Sequence, residues 1–142
     1  MGGLLAIAIT LVLATAAGLW LQRSGRRLGR AGHAELVEDR ETVDAAELGA
    51  ALGERATLVQ FSTAFCQPCR ATRRVLDEVS SSVPGVAHVE VDAESNLELV
   101  RRLDVRRTPT VLVLDAAGRV VRRASGQPRK ADVIAALGEA VG

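Results

Sequence analysis

At 142 residues the chain has room for one ordinary domain and an additional segment. Its net charge of +1 gives no global case for nucleic acid, and only 2% of its residues are aromatic, so any core must be aliphatic. Ala, Val, Leu and Arg carry the composition, and roughly 100 residues are enough to bury one such core.

Met1 to Gln22 contains no charged side chain. Within it, residues 3–21 form an apolar run that would measure close to the ~30 Å bilayer core as a helix rising about 1.5 Å per residue. Trp20 stands where an interfacial anchor would. A cleaved signal peptide is the competing reading, with Ala14-Thr15-Ala16 as a small-residue cleavage site. Against it, no basic region precedes the run, and the run is long for a signal peptide. The expectation is a transmembrane anchor over residues 1–22. A basic, glycine-bearing linker follows over 23–41, with Arg23, Arg26, Arg27 and Arg30 on the C-terminal flank. Arginine on that flank places it in the cytoplasm, in a single-pass chain whose N-terminus is outside.

Glu35 to Thr42 reads as a short first strand. Asp44-Ala45-Ala46-Glu47 has the pattern of a capping box, opening a helix through Leu48 and Leu52 that stops at Gly53. Thr57–Phe61 is a run of β-formers leading into Cys66-Gln67-Pro68-Cys69, the only cysteines in the chain. After them Val75, Leu76, Val79 and Val83 fall at helical spacing, and the helix ends near Pro84-Gly85. Val86–Val91 alternates as a strand. Ser95-Asn96-Leu97-Glu98 looks like a second capping box, before a helix with Leu97, Val100 and Leu103 on one face. Thr110–Leu114 is a strongly apolar strand, Asp115–Gly118 a hairpin turn, and Arg119–Ala124 the return strand. Past Gly126, a last helix runs from about Arg129 to Ala140 with Val133, Ile134 and Leu137 inward. Strands alternating with helices in this order imply an α/β fold, a mixed sheet with helices on both faces.

The chemistry concentrates at Cys66 and Cys69. A thiol at a helix N-terminus meets free N–H groups and the positive end of the helix dipole, which favour the thiolate. The spacing lets the second sulfur attack a mixed disulfide formed by the first. A purely structural disulfide closing so short a loop would constrain little of the unfolded chain. A zinc site needs four ligands, and only His33 and His88 remain to join the cysteines. A copper-carrying C-x-x-C stays open as a further reading.

FSTAFCQPC together with VEVDAESNLELVRRLDVRRTPTVLVLDAAGRVV resembles the thioredoxin family over residues 42–142. The resemblance implies a thioredoxin-like domain with Cys66 as the exposed nucleophile and Cys69 as the resolving thiol. It implies a cis bond at Thr108-Pro109 facing the two cysteines, and Gly126 as the glycine that lets a substrate chain approach. Thr108, Pro109 and Gly126 are then substrate-binding, and Gln60, Phe65 and Pro68 tune the site. The sequence also departs from the family. Gln60 stands where a buried aspartate is usual, Ser62 and Phe65 where tryptophans are, His88 for a lysine, and Arg74 for a helix-kinking proline. An amide at position 60 cannot serve as a base on the resolving thiol.

The expected function is a membrane-tethered thiol-disulfide oxidoreductase that reduces protein disulfides and needs no cofactor beyond its own redox-active disulfide. Its partners would be disulfide-containing proteins, an electron donor such as a flavoprotein thioredoxin reductase, and the membrane through residues 3–21. Two alternatives stand beside it. One is an extracytoplasmic oxidoreductase acting on exported proteins or apocytochromes, and the other a non-catalytic redox or metal-carrier module.

Overall fold

The computed structural model describes residues 41–142, together with Val12, Leu13 and Thr15, which are helical. The expected anchor and linker lie outside the described residues apart from those three and Glu41. Among the described residues no helix is long and apolar enough to cross a membrane. The chain divides at Asp39/Arg40 into two units, and the second holds all the elements below.

These run α1 (Ala45–Leu48), β1 (Ala56–Ser62), α2 (Gln67–Ser82), β2 (Val86–Asp92), α3 (Leu97–Arg102), β3 (Thr110–Asp115), β4 (Val120–Ser125) and α4 (Lys130–Val141). The sheet order is β2-β1-β3-β4, with β1 parallel to β2 and antiparallel to β3, and β3 antiparallel to β4. The expected mixed sheet is therefore present. Every residue of β1 is buried, as befits a central strand covered on both sides. Its alternation sends Ala56, Leu58 and Gln60 to one face and Val59 and Phe61 to the other.

Two aliphatic clusters fill those faces. On one side Val59, Phe61, Val89, Val91, Leu112 and Leu114 pack with Leu99 and Leu103 of the α3 region. On the other, Ala56, Leu58, Val111 and Val113 lie under Leu76 and Val79 of α2 and Val133, Ala136 and Leu137 of α4.

Several local expectations are corrected. The expected first strand over Glu35 to Thr42 lies outside the described residues except for Glu41 and Thr42, where Thr42 makes an isolated bridge with Arg119, flanked by Val120 N–H donating to the Glu41 carbonyl (2.7 Å) and Val43 N–H to that of Gly118 (2.8 Å). The capping box of Asp44 and Glu47 forms, but α1 ends at Leu48, well short of Leu52. Gly49 takes a left-handed conformation (φ 64°), and its N–H returns to the Ala45 and Ala46 carbonyls. Gly53 instead serves a close approach, because a Cβ there would lie 2.1 Å from the Ala56 carbonyl oxygen.

The second capping box does not form. Asn96 is the N-cap of α3, and its side chain makes no capping bond to the helix. Asp92 has taken the local donors, accepting from the Ser95 hydroxyl (2.6 Å) and Glu94 N–H (3.0 Å), while its carbonyl takes the Asn96 amide (2.9 Å). That turn rotates α3 so that Leu99 and Leu103 face inward, Val100 packs partly, and Leu97 is exposed. In α4, Ala136 replaces Ile134 on the inner face. Val133, Ala136 and Leu137 make one stripe, and Ile134 stands exposed at its edge.

The β3–β4 hairpin is tied by Asp115, which accepts from Ala117 N–H (2.9 Å), Arg119 N–H (3.0 Å) and the Arg119 guanidinium (2.9 Å). Burial by itself would raise the Asp115 carboxyl, but these donors outweigh it and hold the group below the ordinary carboxylate range. A carboxyl depressed in the fold contributes stability above its unfolded value and loses that contribution as the pH falls through the folded value. Asp115→Ala is expected to cost about 1–3 kcal/mol near neutral pH, by loss of charge-assisted bonds. The deficit should shrink in acid, as urea titrations at several pH values will show.

Candidate active site

Cys66 is the N-cap of α2, in extended conformation, and its Sγ accepts from the Cys69 N–H at 3.2 Å. Pro68 lies in the first turn, where its missing N–H removes no helical bond. Phe65, immediately before Cys66, has positive φ (61°) and is 96% exposed. The two sulfurs are bonded at 2.07 Å. Their environments differ: Cys69 is 1% exposed, while Cys66 is only partly covered. The accessible sulfur thus sits at the helix tip and the other beneath it.

A second loop meets this turn. The Thr108-Pro109 bond is cis. The Thr108 hydroxyl lies 3.0 Å from that of Thr63, three residues before Cys66. The buried Pro109 carbonyl accepts from Gly126 N–H at 2.7 Å, which joins the third loop to the same end of the sheet. Gly126 has φ 94°, and a Cβ there would meet only Nη2 of Arg107, at 3.7 Å. Backbone conformation, rather than crowding, is what calls for glycine at 126.

Gln60 is fully buried on the face of β1 that α2 covers. Its amide nitrogen donates to the Cys69 carbonyl (2.8 Å) and to the Ser62 hydroxyl (3.0 Å). Its oxygen lies 3.2 Å from Nε2 of His88, and Nδ1 of His88 lies 2.6 Å from Asp77. The sequence singled out Gln60 and His88 separately. Their junction, and Asp77 with it, carried no linear signal, because the partners stand 28 and 11 residues apart. Of the α2 arginines, Arg73 is taken by Glu90 (2.5 and 2.6 Å), whereas Arg70 and Arg74 are exposed. The helix runs unbroken past Arg74 to Ser82. Among the described residues no cluster of three or more His, Cys, Asp or Glu side chains is placed to hold a metal ion.

The thioredoxin family model matches residues 41–139. This chain belongs to the thioredoxin family. Among curated relatives, Thioredoxin H5 of Oryza sativa subsp. japonica is 32% identical over 83 residues, which are 58% of this chain and 62% of that protein. A bifunctional thioredoxin reductase/thioredoxin of Mycobacterium leprae is 32% identical over 85 residues, 59% of this chain and 18% of the relative. The match to the rice thioredoxin thus spans less than two thirds of that protein's length. Among solved structures, Fasciola hepatica thioredoxin superposes with a TM-score of 0.55 at 23% identity, covering 68% of this chain and 86% of that one. At that identity the likeness is one of thioredoxin fold.

Proposed function

We propose that this thioredoxin-family chain is a membrane-tethered thiol-disulfide oxidoreductase that reduces protein disulfides through Cys66 and Cys69. The observation that carries the reading is the unequal placing of the two sulfurs. Cys66 is reachable at a helix N-terminus with an N–H on its sulfur, and Cys69 is enclosed beside it. In the reduced state the Cys66 thiolate attacks one sulfur of a substrate disulfide. A mixed disulfide forms, and the other substrate sulfur leaves as a thiolate that takes up a proton. The Cys69 thiol then gives up its proton and attacks Cys66, the bond to substrate breaks, and the second substrate thiolate is protonated. Two electrons pass from the dithiol to the substrate, and no cofactor takes part. Phe65 offers apolar surface to a protein substrate, and the Thr108-Pro109 and Gly126 loops supply backbone against which its chain can lie.

A domain kept reduced needs a donor, and a flavoprotein reductase is the class proposed. The Mycobacterium leprae relative, whose name joins thioredoxin reductase and thioredoxin in one protein, supports that choice. The tether is proposed from residues 1–22 and the arginines that follow them. With the redox domain in the cytoplasm, an alkaline phosphatase fused after Gly142 is expected to be inactive and a fluorescent protein bright, in a membrane fraction that resists carbonate extraction. Strong phosphatase activity would move the domain outside and turn the reading toward exported substrates. A fully soluble product would remove the tether.

A further inference from the structure

Behind the cysteines, on the face of the sheet that α2 covers, polar side chains form a continuous chain from solvent to the active-site turn. Asp77 on α2 stands at the wet end, its side chain 60% exposed. His88 on β2 comes next, with a side chain only 7% exposed. Gln60 on β1 is fully buried and ends the chain on the carbonyl of Cys69 and the hydroxyl of Ser62.

The partners fix the direction of each bond. The Cys69 carbonyl only accepts, so the NH2 of Gln60 must face it and Oε1 must face His88. That oxygen also only accepts, so Nε2 of His88 carries a hydrogen. The Asp77 carboxylate at 2.6 Å is an acceptor too, so Nδ1 carries the other. A fully satisfied chain is one in which the imidazole is charged, and a neutral ring must leave one partner unserved. Arg73, one turn before Asp77 on α2, also faces this interface, as does Glu90, two residues beyond His88 on β2. Those two neutralise each other through paired bonds. From β1 the register sets apolar Leu58 opposite His88. Asp77 is therefore the anion left to balance the ring.

We propose that His88 is a positioning residue for the resolving thiol: as an imidazolium it fixes Gln60 against the Cys69 carbonyl and holds positive charge behind the buried sulfur. The proposal rests on the assignment of Cys69 as resolving thiol. Positive charge there favours the Cys69 thiolate in the step that forms the Cys66–Cys69 bond and breaks the bond to substrate. The proton that Cys69 releases goes to solvent, and the departing substrate sulfur takes one up, so the step is neutral in protons and electrons. A carboxylate at position 60 would act in the opposite sense on the thiolate and would serve as a base instead.

The test is single-turnover reduction of a fluorogenic disulfide peptide by the reduced full chain, with mixed-disulfide formation and its resolution followed as separate phases. His88→Gln keeps an amide that can reach Gln60 without the charge, and His88→Lys keeps a charge and a donor. Resolution is expected to slow roughly three- to tenfold in His88→Gln, with the first phase unchanged within about twofold. His88→Lys should stay near the parent, and thermal melts should show all variants folded. The pH profile of resolution in the parent should carry a break that His88→Gln lacks. Equal slowing of both phases, or a parent-like rate and profile in His88→Gln, would overturn the proposal. Failure of the parent chain to form any mixed disulfide would instead strike the assignment of the two thiols.

Discussion

Cys66→Ser is expected to abolish reduction of protein disulfides, while Cys69→Ser accumulates a stable mixed disulfide with the substrate. The structure gives the reason for the asymmetry. Cys66 is the sulfur within reach at the tip of α2, and the Cys69 N–H lies 3.2 Å from it. Cys69 is sealed under the turn and has one accessible target, the neighbouring sulfur to which it is bonded here. Removing Cys66 removes the only thiol that substrate can meet, so the loss should reach the uncatalysed background. Removing Cys69 leaves the first attack intact and takes away the internal nucleophile that completes the cycle. Intact-mass spectrometry after incubation with a disulfide protein reads both outcomes. An adduct on Cys66→Ser with none on Cys69→Ser would reverse the two roles.

The chain's two phenylalanines should divide stability from recognition. Phe61 is fully buried in the cluster that joins the sheet to Leu99 and Leu103. Phe61→Ala should cost about 3–5 kcal/mol, the range for truncating a core aromatic. In a domain near 100 residues that lowers the melting temperature by roughly 12–40 °C, at about 4–8 °C per kcal/mol. Phe65 is 96% exposed and contributes little to the core. Phe65→Ala should melt within a few degrees of the parent, as surface changes usually stay within about 0.5 kcal/mol. It should nonetheless raise the KM for a protein disulfide. Calorimetry and insulin-reduction kinetics on the same pair of variants separate the effects, and a large loss of stability in Phe65→Ala would contradict the surface role given to it.

What the sequence made legible follows from how local each signal is. The β1 strand, the cysteine helix, the β3–β4 hairpin and the mixed sheet rest on periodicity and turn chemistry within a few residues, and all are present. The expectations that failed involve competition between equally local choices. The Ser95 hydroxyl donates to Asp92 instead of capping α3, and Gly49 stopped α1 before Gly53 could. The inward faces of α3 and α4 depended on where each helix begins, which a single residue of offset changes, so Leu97 and Ile134 turned outward. At the site, the motif and its resemblance named the cysteines, Pro109 and Gly126. The Thr63–Thr108 contact and the Asp77–His88–Gln60 chain exist only once strands and helix are packed, and no spacing in the sequence announces them.

Turnover in the insulin-reduction assay with dithiothreitol decides whether Cys66 and Cys69 are catalytic. Catalytic precipitation of the insulin B chain by the parent is expected at substoichiometric protein, with Cys66 and Cys69 cycling between dithiol and disulfide. Absence of turnover from a folded parent chain whose Cys66–Cys69 pair is fully reduced would contradict it and leave the pair as a binding module.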